Sequence, residues 1–327
     1  MPVTPEKITH RRSRVCFSQE FVPLFRKHRL HSQVVDVPQN KDGRSFKPTS
    51  QGRAVADKVT IPQLQQMKRD AHKIVGVVAW DCHIARIADR SGVEILSVGD
   101  SVGVNLWGHS NPFTVTMDQM VTVAQAVRAG TTRALLSCDL PYGPLQDSVD
   151  AAVEASVRMV KEAGVDMVKL DGAADFPEAV EAVTHAGIPV WAQFGITPQT
   201  SLQYGIEFAA LPEAEVPLAM KEQFVSEAKL LQEAGAVMLD FTNSGPIVGP
   251  EVTSAVSIPV IGGFGGGPWL DGRVRMAHAA IGYGAKHLDE DIETYANVAH
   301  IARDAITAFS EDVRAARQIK GAVRAKG

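Results

Sequence analysis

The sequence predicts an α/β fold, a closed (β/α)8 barrel of the TIM type with an N-terminal extension, on three observations. Short apolar runs alternate with longer helical stretches from about residue 60 onward. Glycine marks the helix ends. The first run closes on Trp80-Asp81-Cys82-His83, without the glycine fingerprint that opens a nucleotide-binding sheet. Strand, helix, strand at this rhythm means parallel pairing through right-handed crossovers. An open doubly wound sheet is the rival, and the missing fingerprint weighs against it.

Taken in order, the strand runs are Ile74–Ala79, Glu94–Val98, Arg133–Cys138, Met167–Leu170, Pro189–Ala192, Val237–Leu239 and Ile258–Ile261. Between them lie helical stretches at Ile84–Ser91, Met117–Ala129, Ser148–Ala163, Pro177–Ala186 and Glu213–Ala234. These stop at Gly92, Gly130, Gly164, Gly187 and Gly235. Glycine just past a helix enters the left-handed conformation without a Cβ penalty. Seven strands are plain, and Gly284–Leu288 is the only, weak candidate for the eighth. The domain reading is a basic arm over residues 1–58 and a catalytic barrel with C-terminal helices over 59–327.

The chain has 327 residues and 45% hydrophobic content, enough for a barrel of roughly 250 residues plus an extension. No apolar run approaches the ~18 residues of a membrane span. Residues 1–58 carry 12 Lys/Arg and 5 Asp/Glu, a balance of +7; the rest carries 21 and 32, a balance of −11. The arm reads as a segment packed on a neighbouring subunit, a loose tail, or a targeting or polyanion-binding stretch. Its lack of an apolar core excludes a secretory signal, and nucleic-acid binding would need a basic surface with more support than this arm gives. Cys16, Cys82 and Cys138 form neither a disulfide framework nor a redox motif. A reduced, cytoplasmic setting is expected.

Barrel active sites lie at the C-terminal ends of the strands. Those ends supply Asp81, Asp100, Asp139, Lys169 with Asp171, Gln193 and Asp240. So many carboxylates at one mouth repel, and a cation or partial protonation must relieve them. All-oxygen donors favour a hard ion, Mg²⁺ most simply. Each acid taken singly has a plainer role as a helix or turn cap. Lys169 and Asp171 are two apart, so a strand presents both to one side. Lys169 reads either as a fixed cation or as a Schiff-base nucleophile, and nearby acids favour the charged form. Cys138 faces away from Asp139 and reads as core. His83, His109 and His185 show no ligand spacing. The loop Gly262-Gly263-Phe264-Gly265-Gly266-Gly267 reads as an anion-approaching backbone or a tight turn. Thr197-Pro198-Gln199 reads as a shaped turn without chemistry of its own.

These stretches resemble the ketopantoate hydroxymethyltransferase family from about Val75 to Gly284. The specific segments are Ser97-Val98-Gly99-Asp100-Ser101, Pro112–Met120, Asp139-Leu140-Pro141-Tyr142, Val168-Lys169-Leu170-Asp171-Gly172, Thr197-Pro198-Gln199 and Asp271-Gly272. The resemblance implies a (β/α)8 barrel that binds Mg²⁺. It implies transfer of a hydroxymethyl group from methylenetetrahydrofolate to 3-methyl-2-oxobutanoate, a step of pantothenate biosynthesis. By position it implies Asp100 and Asp139 as metal ligands, with Asp171 near the metal where the family has a glutamate. Ser101 and Lys169 would hold the substrate carboxylate and 2-oxo group, and a homo-oligomer is implied. Two positions depart from the family: Gln193 replaces a histidine that contacts substrate, and Asp240 replaces the glutamate that serves as enolising base.

The expected chemistry is therefore an Mg²⁺-dependent aldol-type reaction on a small 2-oxo acid. Asp240 and Lys169 are catalytic. Ser101, Asp100, Asp139, Lys169 and Gln193 bind substrate. Asp100, Asp139 and Asp171 serve the metal. The departures open two alternatives, a retro-aldol or lyase reaction on another 2-oxo acid and a non-catalytic metabolite-binding paralogue.

Overall fold

The computed structural model describes residues 57–321. The arm expected over residues 1–58 lies outside them except at its last two positions. The described chain opens with α1 (Ile61–Arg69), then β1 (Ile74–Val78), α2 (Cys82–Ser91), β2 (Ile95–Val98), α3 (Val102–Trp107), α4 (Met117–Gly130) and β3 (Leu135–Asp139). It continues with α5 (Pro144–Asp147), α6 (Val149–Ala163), β4 (Met167–Asp171), α7 (Pro177–His185), β5 (Val190–Gly195), α8 (Lys221–Glu233) and β6 (Met238–Thr242). Then follow α9 (Gly245–Ala255), β7 (Val260–Gly262), β8 (Gly272–Met276), α10 (Ala277–Ala280) and α11 (Val298–Arg314). The strands pair in parallel in sequence order and close with β8 on β1, forming the expected barrel.

Local sequence explains the elements. Asp81 opens α2 by accepting from His83 N and Ile84 N at 2.8 and 2.9 Å. Thr116 and Gln119 form a capping box at α4, and Ser148 caps α6. Gly92, Gly164, Gly187 and Gly235 all have positive φ, as helix stops should. Gly130 differs: it is the last residue of α4, and a Cβ there would meet Cys82 O at 2.3 Å. Its role is close packing of α4 on α2.

Strand alternation produces two apolar layers. Outward residues such as Leu96, Leu136, Val168, Leu170, Phe194, Leu239 and Phe241 pack under the helices. Phe224 of α8 meets Phe194 and Phe241, locking that helix to β5 and β6. Inward residues Ile74, Ile95, Leu135, Met167, Trp191, Met238, Ile261 and Val274 fill the lower barrel with Val59 and Leu64. Each fully buried side chain of this kind stabilises by roughly 1.5–3 kcal/mol, so the polar upper barrel rests on an apolar floor.

Two element expectations are corrected. The eighth strand is Gly272–Met276, whereas Gly284–Leu288 contains the 3-10 turn Ala285–Leu288. The sequence does not mark this strand because Arg273 and Arg275 alternate with inward residues and are exposed, so no apolar run forms. The long helix expected over Glu213–Ala234 is only Lys221–Glu233, preceded by 3-10 turns at Phe208–Glu213 and Leu218–Met220. Pro212 and Pro217 cannot donate a helical hydrogen bond and disfavour helix in the residue before them. Val216 N instead donates to Asn243 O at 2.8 Å.

On α11 only Ala299 is buried, while Ile301, Ile306, Phe309 and Val313 are exposed. Among the described residues no helix is long and apolar enough to cross a membrane.

Candidate active site

The barrel's register assembles the predicted residues. Asp139 is level with Lys169, Asp171 with Gln193, and Gln193 with Asp240. Asp100 follows β2 after Gly99. Gly99 allows this approach, since a Cβ there would crowd the Ser101 hydroxyl at 2.8 Å and sit 3.7 Å from Asp139 Oδ2. Asp100, Asp139, Lys169, Asp171, Gln193 and Asp240 are all buried at the C-terminal end of the barrel. Ser101, half-buried beside them, makes no capping bond with its hydroxyl.

Lys169 is the centre of the cluster. Its Nζ lies 2.9 Å from Asp240 Oδ2 and 3.8 Å from Asp139 Oδ1. It also sits 5.0 Å above the ring of Trp191, a cation–π contact with the barrel floor. Burial would lower its pKa, but Asp139 and Asp240 outweigh it and hold the group well above its ordinary value. That direction favours the charged form, in which an amine is not nucleophilic.

The acids repel. Burial, then Asp139 and Asp171, lift Asp100 well above the usual carboxylate range. Burial and Asp240 lift Asp139 against the pull of Lys169. Burial, with Asp139 and Asp240, raises Asp171 to about 7. Asp139 Oδ1, Asp171 Oδ1 and Asp240 Oδ1 are buried without a hydrogen-bond partner. Unpaired buried oxygens are costly, and a ligand that pairs them recovers that cost.

Asp100 and Asp139 are joined directly, Asp100 N donating to Asp139 Oδ2 at 3.4 Å. Asp171 Oδ2 accepts from Gln199 N at 3.2 Å. Among the described residues no group of three or more His, Cys, Asp or Glu side chains is gathered closely enough to hold a metal. Two carboxylates suit Mg²⁺, which keeps water and substrate oxygens in its shell.

Asp81 is the helix cap of α2, the plainer of its two readings. Cys138 is buried in the outer layer, and His83 and His185 are exposed. His109 bonds Thr114 Oγ1 at 2.9 Å. In the glycine loop three carbonyls are taken: Phe264 O by Asn243 N, Gly265 O by Gly245 N and Gly263 O by Arg273 Nη2. Sequence reasoning missed Thr242, which accepts from Gln193 Nε2 at 3.0 Å, and Gln146 and Gln199. The Thr197-Pro198-Gln199 turn was the available signal for Gln199. Nothing in the sequence marked Gln146.

Comparison with known proteins follows the same lines. A family model described as Ketopantoate hydroxymethyltransferase matches residues 58–318. The 3-methyl-2-oxobutanoate hydroxymethyltransferase of Salinibacter ruber is 37% identical over 258 residues, 79% of this chain and 95% of that protein. The enzyme of the same name from Moorella thermoacetica is 36% identical over 262 residues, 80% of this chain and 95% of its own. Among solved structures, oxaloacetate acetylhydrolase shares the fold at a TM-score of 0.51 and 11% identity, covering 78% of this chain and 86% of that one. Phosphonopyruvate hydrolase does so at 0.51 and 12%, covering 82% and 92%.

Proposed function

The chain belongs to the ketopantoate hydroxymethyltransferase family, and from that premise we propose hydroxymethyl transfer from methylenetetrahydrofolate to a small 2-oxo acid, 3-methyl-2-oxobutanoate in the first instance. The chain is an enzyme of carbon–carbon bond chemistry. The observation that carries the proposal is the buried line Asp139–Lys169–Asp240, with unpaired oxygens on both acids.

Mg²⁺ fits Asp100 and Asp139, two adjacent buried carboxylates that repel each other and include an orphaned oxygen. Asp171 takes an outer role toward the same cation. Bound there, the cation supplies a Lewis acid for the 2-oxo group. The Ser101 hydroxyl and the Lys169 ammonium meet the substrate's carboxylate and 2-oxo oxygen. Lys169 occupies Asp240 Oδ2 and leaves Oδ1 open. Asp240 Oδ1 therefore takes the proton from the carbon next to the carbonyl. Water cleaves the two C–N bonds of the folate donor, its hydrogens going to the two nitrogens and its oxygen staying on the one-carbon unit. The electron pair released at the substrate carbon forms the new bond to that carbonyl carbon, and its oxygen takes the proton back from Asp240. Gln193, turned to Thr242, gives the same wall a neutral amide.

A cavity of about 270 Å³ lined by Asn111, Phe113, Pro198, Leu202, Glu207 and Phe208 adjoins the turn that carries Gln199. Its apolar walls, amide and carboxylate suit the flat ring of the folate donor. The exposed apolar stripe of α11 supports a homo-oligomer. Cys82 and Cys138 are free thiols, in keeping with a cytoplasmic setting.

Gln193 and the short Asp240 favour one second reading, retro-aldol cleavage of a differently shaped 2-oxo acid. The test is deuterium uptake in heavy water with Mg²⁺ and 3-methyl-2-oxobutanoate. Exchange at the carbon next to the carbonyl is expected. Its absence, with exchange or cleavage of another 2-oxo acid, selects the second reading.

A further inference from the structure

We propose that Gln146 and Gln199 form an amide relay that positions Asp100 for cation binding, making both positioning residues of the site. The proposal rests on the reading of Asp100 and Asp139 as the cation's ligands.

The relay begins at a backbone group whose polarity cannot be reversed. Gly143 N donates to Gln146 Oε1 at 2.8 Å. Gly143 has φ +130°, a conformation that side chains rarely adopt, so glycine permits the turn that aims this N–H. With its oxygen held, Gln146 must present its amide nitrogen on the other side. That nitrogen donates to Gln199 Oε1 at 3.2 Å. Gln199 in turn must present nitrogen away from Gln146, and Nε2 donates to Asp100 Oδ2 at 3.2 Å. A side-chain amide is nearly symmetric in shape, and only its partners decide which end is the donor. Here the choice is made at Gly143 and transmitted through two amides to a carboxylate.

Gln199 is itself fixed. Thr197 and Thr200 bond each other through N–H and hydroxyl groups around Pro198, and Gln199 N donates to Asp171 Oδ2 at 3.2 Å. One residue of the loop after β5 therefore holds acids from β2 and β4, while Gln146 brings in the loop after β3. The bond to Asp100 falls on Oδ2 and leaves Oδ1 for a ligand. Partners of this kind, which orient a metal-binding side chain from behind, typically alter metal affinity or activity 10–100-fold when removed.

Gln146 does not bond Asp100, so its effect on the cation distinguishes a relay from simple contact. The experiment is calorimetric titration with Mg²⁺ alone on full-length wild type, Q199L, Q146L, Q146E and the control Q203L, with thermal melting to verify folding. Q199L is expected to weaken Mg²⁺ binding about 10–100-fold, and Q146L about 10-fold. Q146E opposes two effects. Its charge by itself would tighten cation binding. Its carboxylate accepts from Gly143 but cannot donate to Gln199, so the Gln199 amide turns over and faces Asp100 with oxygen. Weaker binding in Q146E, with Q203L unchanged, supports the relay. Unchanged affinity in Q146L, or tighter binding in Q146E, overturns it, and these two variants decide the matter if Q199L does not fold. Wild type that binds no Mg²⁺ overturns the cation reading along with the relay, whereas wild-type binding with unaffected variants overturns the relay alone.

Discussion

Lys68 and Lys169 are both largely buried and paired with aspartate, but they stand at opposite ends of one barrel. Below, Lys68 Nζ meets Asp271 Oδ2, Thr253 O and Ile258 O, each at 2.9 Å. Three donors find three acceptors, and Asp271 Oδ2 also accepts from Val260 N at 2.8 Å. Above, Lys169 has Asp240 at 2.9 Å and Asp139 only at 3.8 Å, while three nearby carboxylate oxygens have no partner. The lower network is closed and works only for the fold. The upper one leaves three carboxylate oxygens without a protein partner, where the proposed cation and substrate would bind. Departures from full polar satisfaction are expected at functional sites, where other parts of the fold offset them.

The sharpest way to break this contrast is at Asp240 Oδ1, the proposed proton acceptor. D240N is expected to reduce deuterium exchange into the 2-oxo acid by about 10²–10⁴-fold, the usual worth of a positioned base. The fold should survive, as judged by urea denaturation. Exchange at the wild-type rate would move the base elsewhere. At the other end K68M leaves the largely buried Asp271 bonded to Val260 N but without its counter-charge. It should cost about 3 kcal/mol in urea unfolding while exchange by the folded protein stays unchanged. Loss of exchange without loss of stability would erase the distinction between the two ends.

A subtler test uses pH on the metal-free protein. Asp171 is raised to about 7 when folded, against about 3.9 in an unfolded chain. The folded state then holds a proton that the unfolded state has released. The resulting stability is present below about pH 4 and is lost as pH rises through about 7, at up to about 1.4 kcal/mol per pH unit. Asp89, at the lower end, has the opposite sign. Burial pushes it up, but donors at Ala134 N, Thr132 and Arg133 N outweigh this and hold it below its ordinary value. Its contribution is present above about pH 4 and lost as pH falls. Urea titrations from pH 4 to 8 should show a decline that D171N flattens and D89N does not. An equal decline in D171N would contradict the assignment.

Much of the site was legible because strand ends in a parallel barrel must converge. Asp100, Asp139, Lys169, Asp171, Gln193 and Asp240 each stand where a run of apolar residues stops. The shared face of Lys169 and Asp171, and the opposed face of Cys138, follow from the two-residue period of a strand. Asp81 has the same position in its run and a different fate, because a following helix needed its cap. A single sequence position cannot distinguish the two uses of an aspartate. The eighth strand was hidden for a related reason: its outward arginines interrupt the apolar signal.

The sequence by itself determined the alternation of elements, the closed parallel barrel and the ring of acids at its mouth, since local periodicity and glycine stops are written along the chain. Tertiary structure decided which acids remain unpaired, that Lys169 bridges Asp139 and Asp240, and that Gln146 and Gln199 stand behind Asp100. Those relations join residues 30 to 99 positions apart. They depend on register and side-chain reach across neighbouring strands and loops, quantities set by the packed barrel and absent from any short stretch of chain.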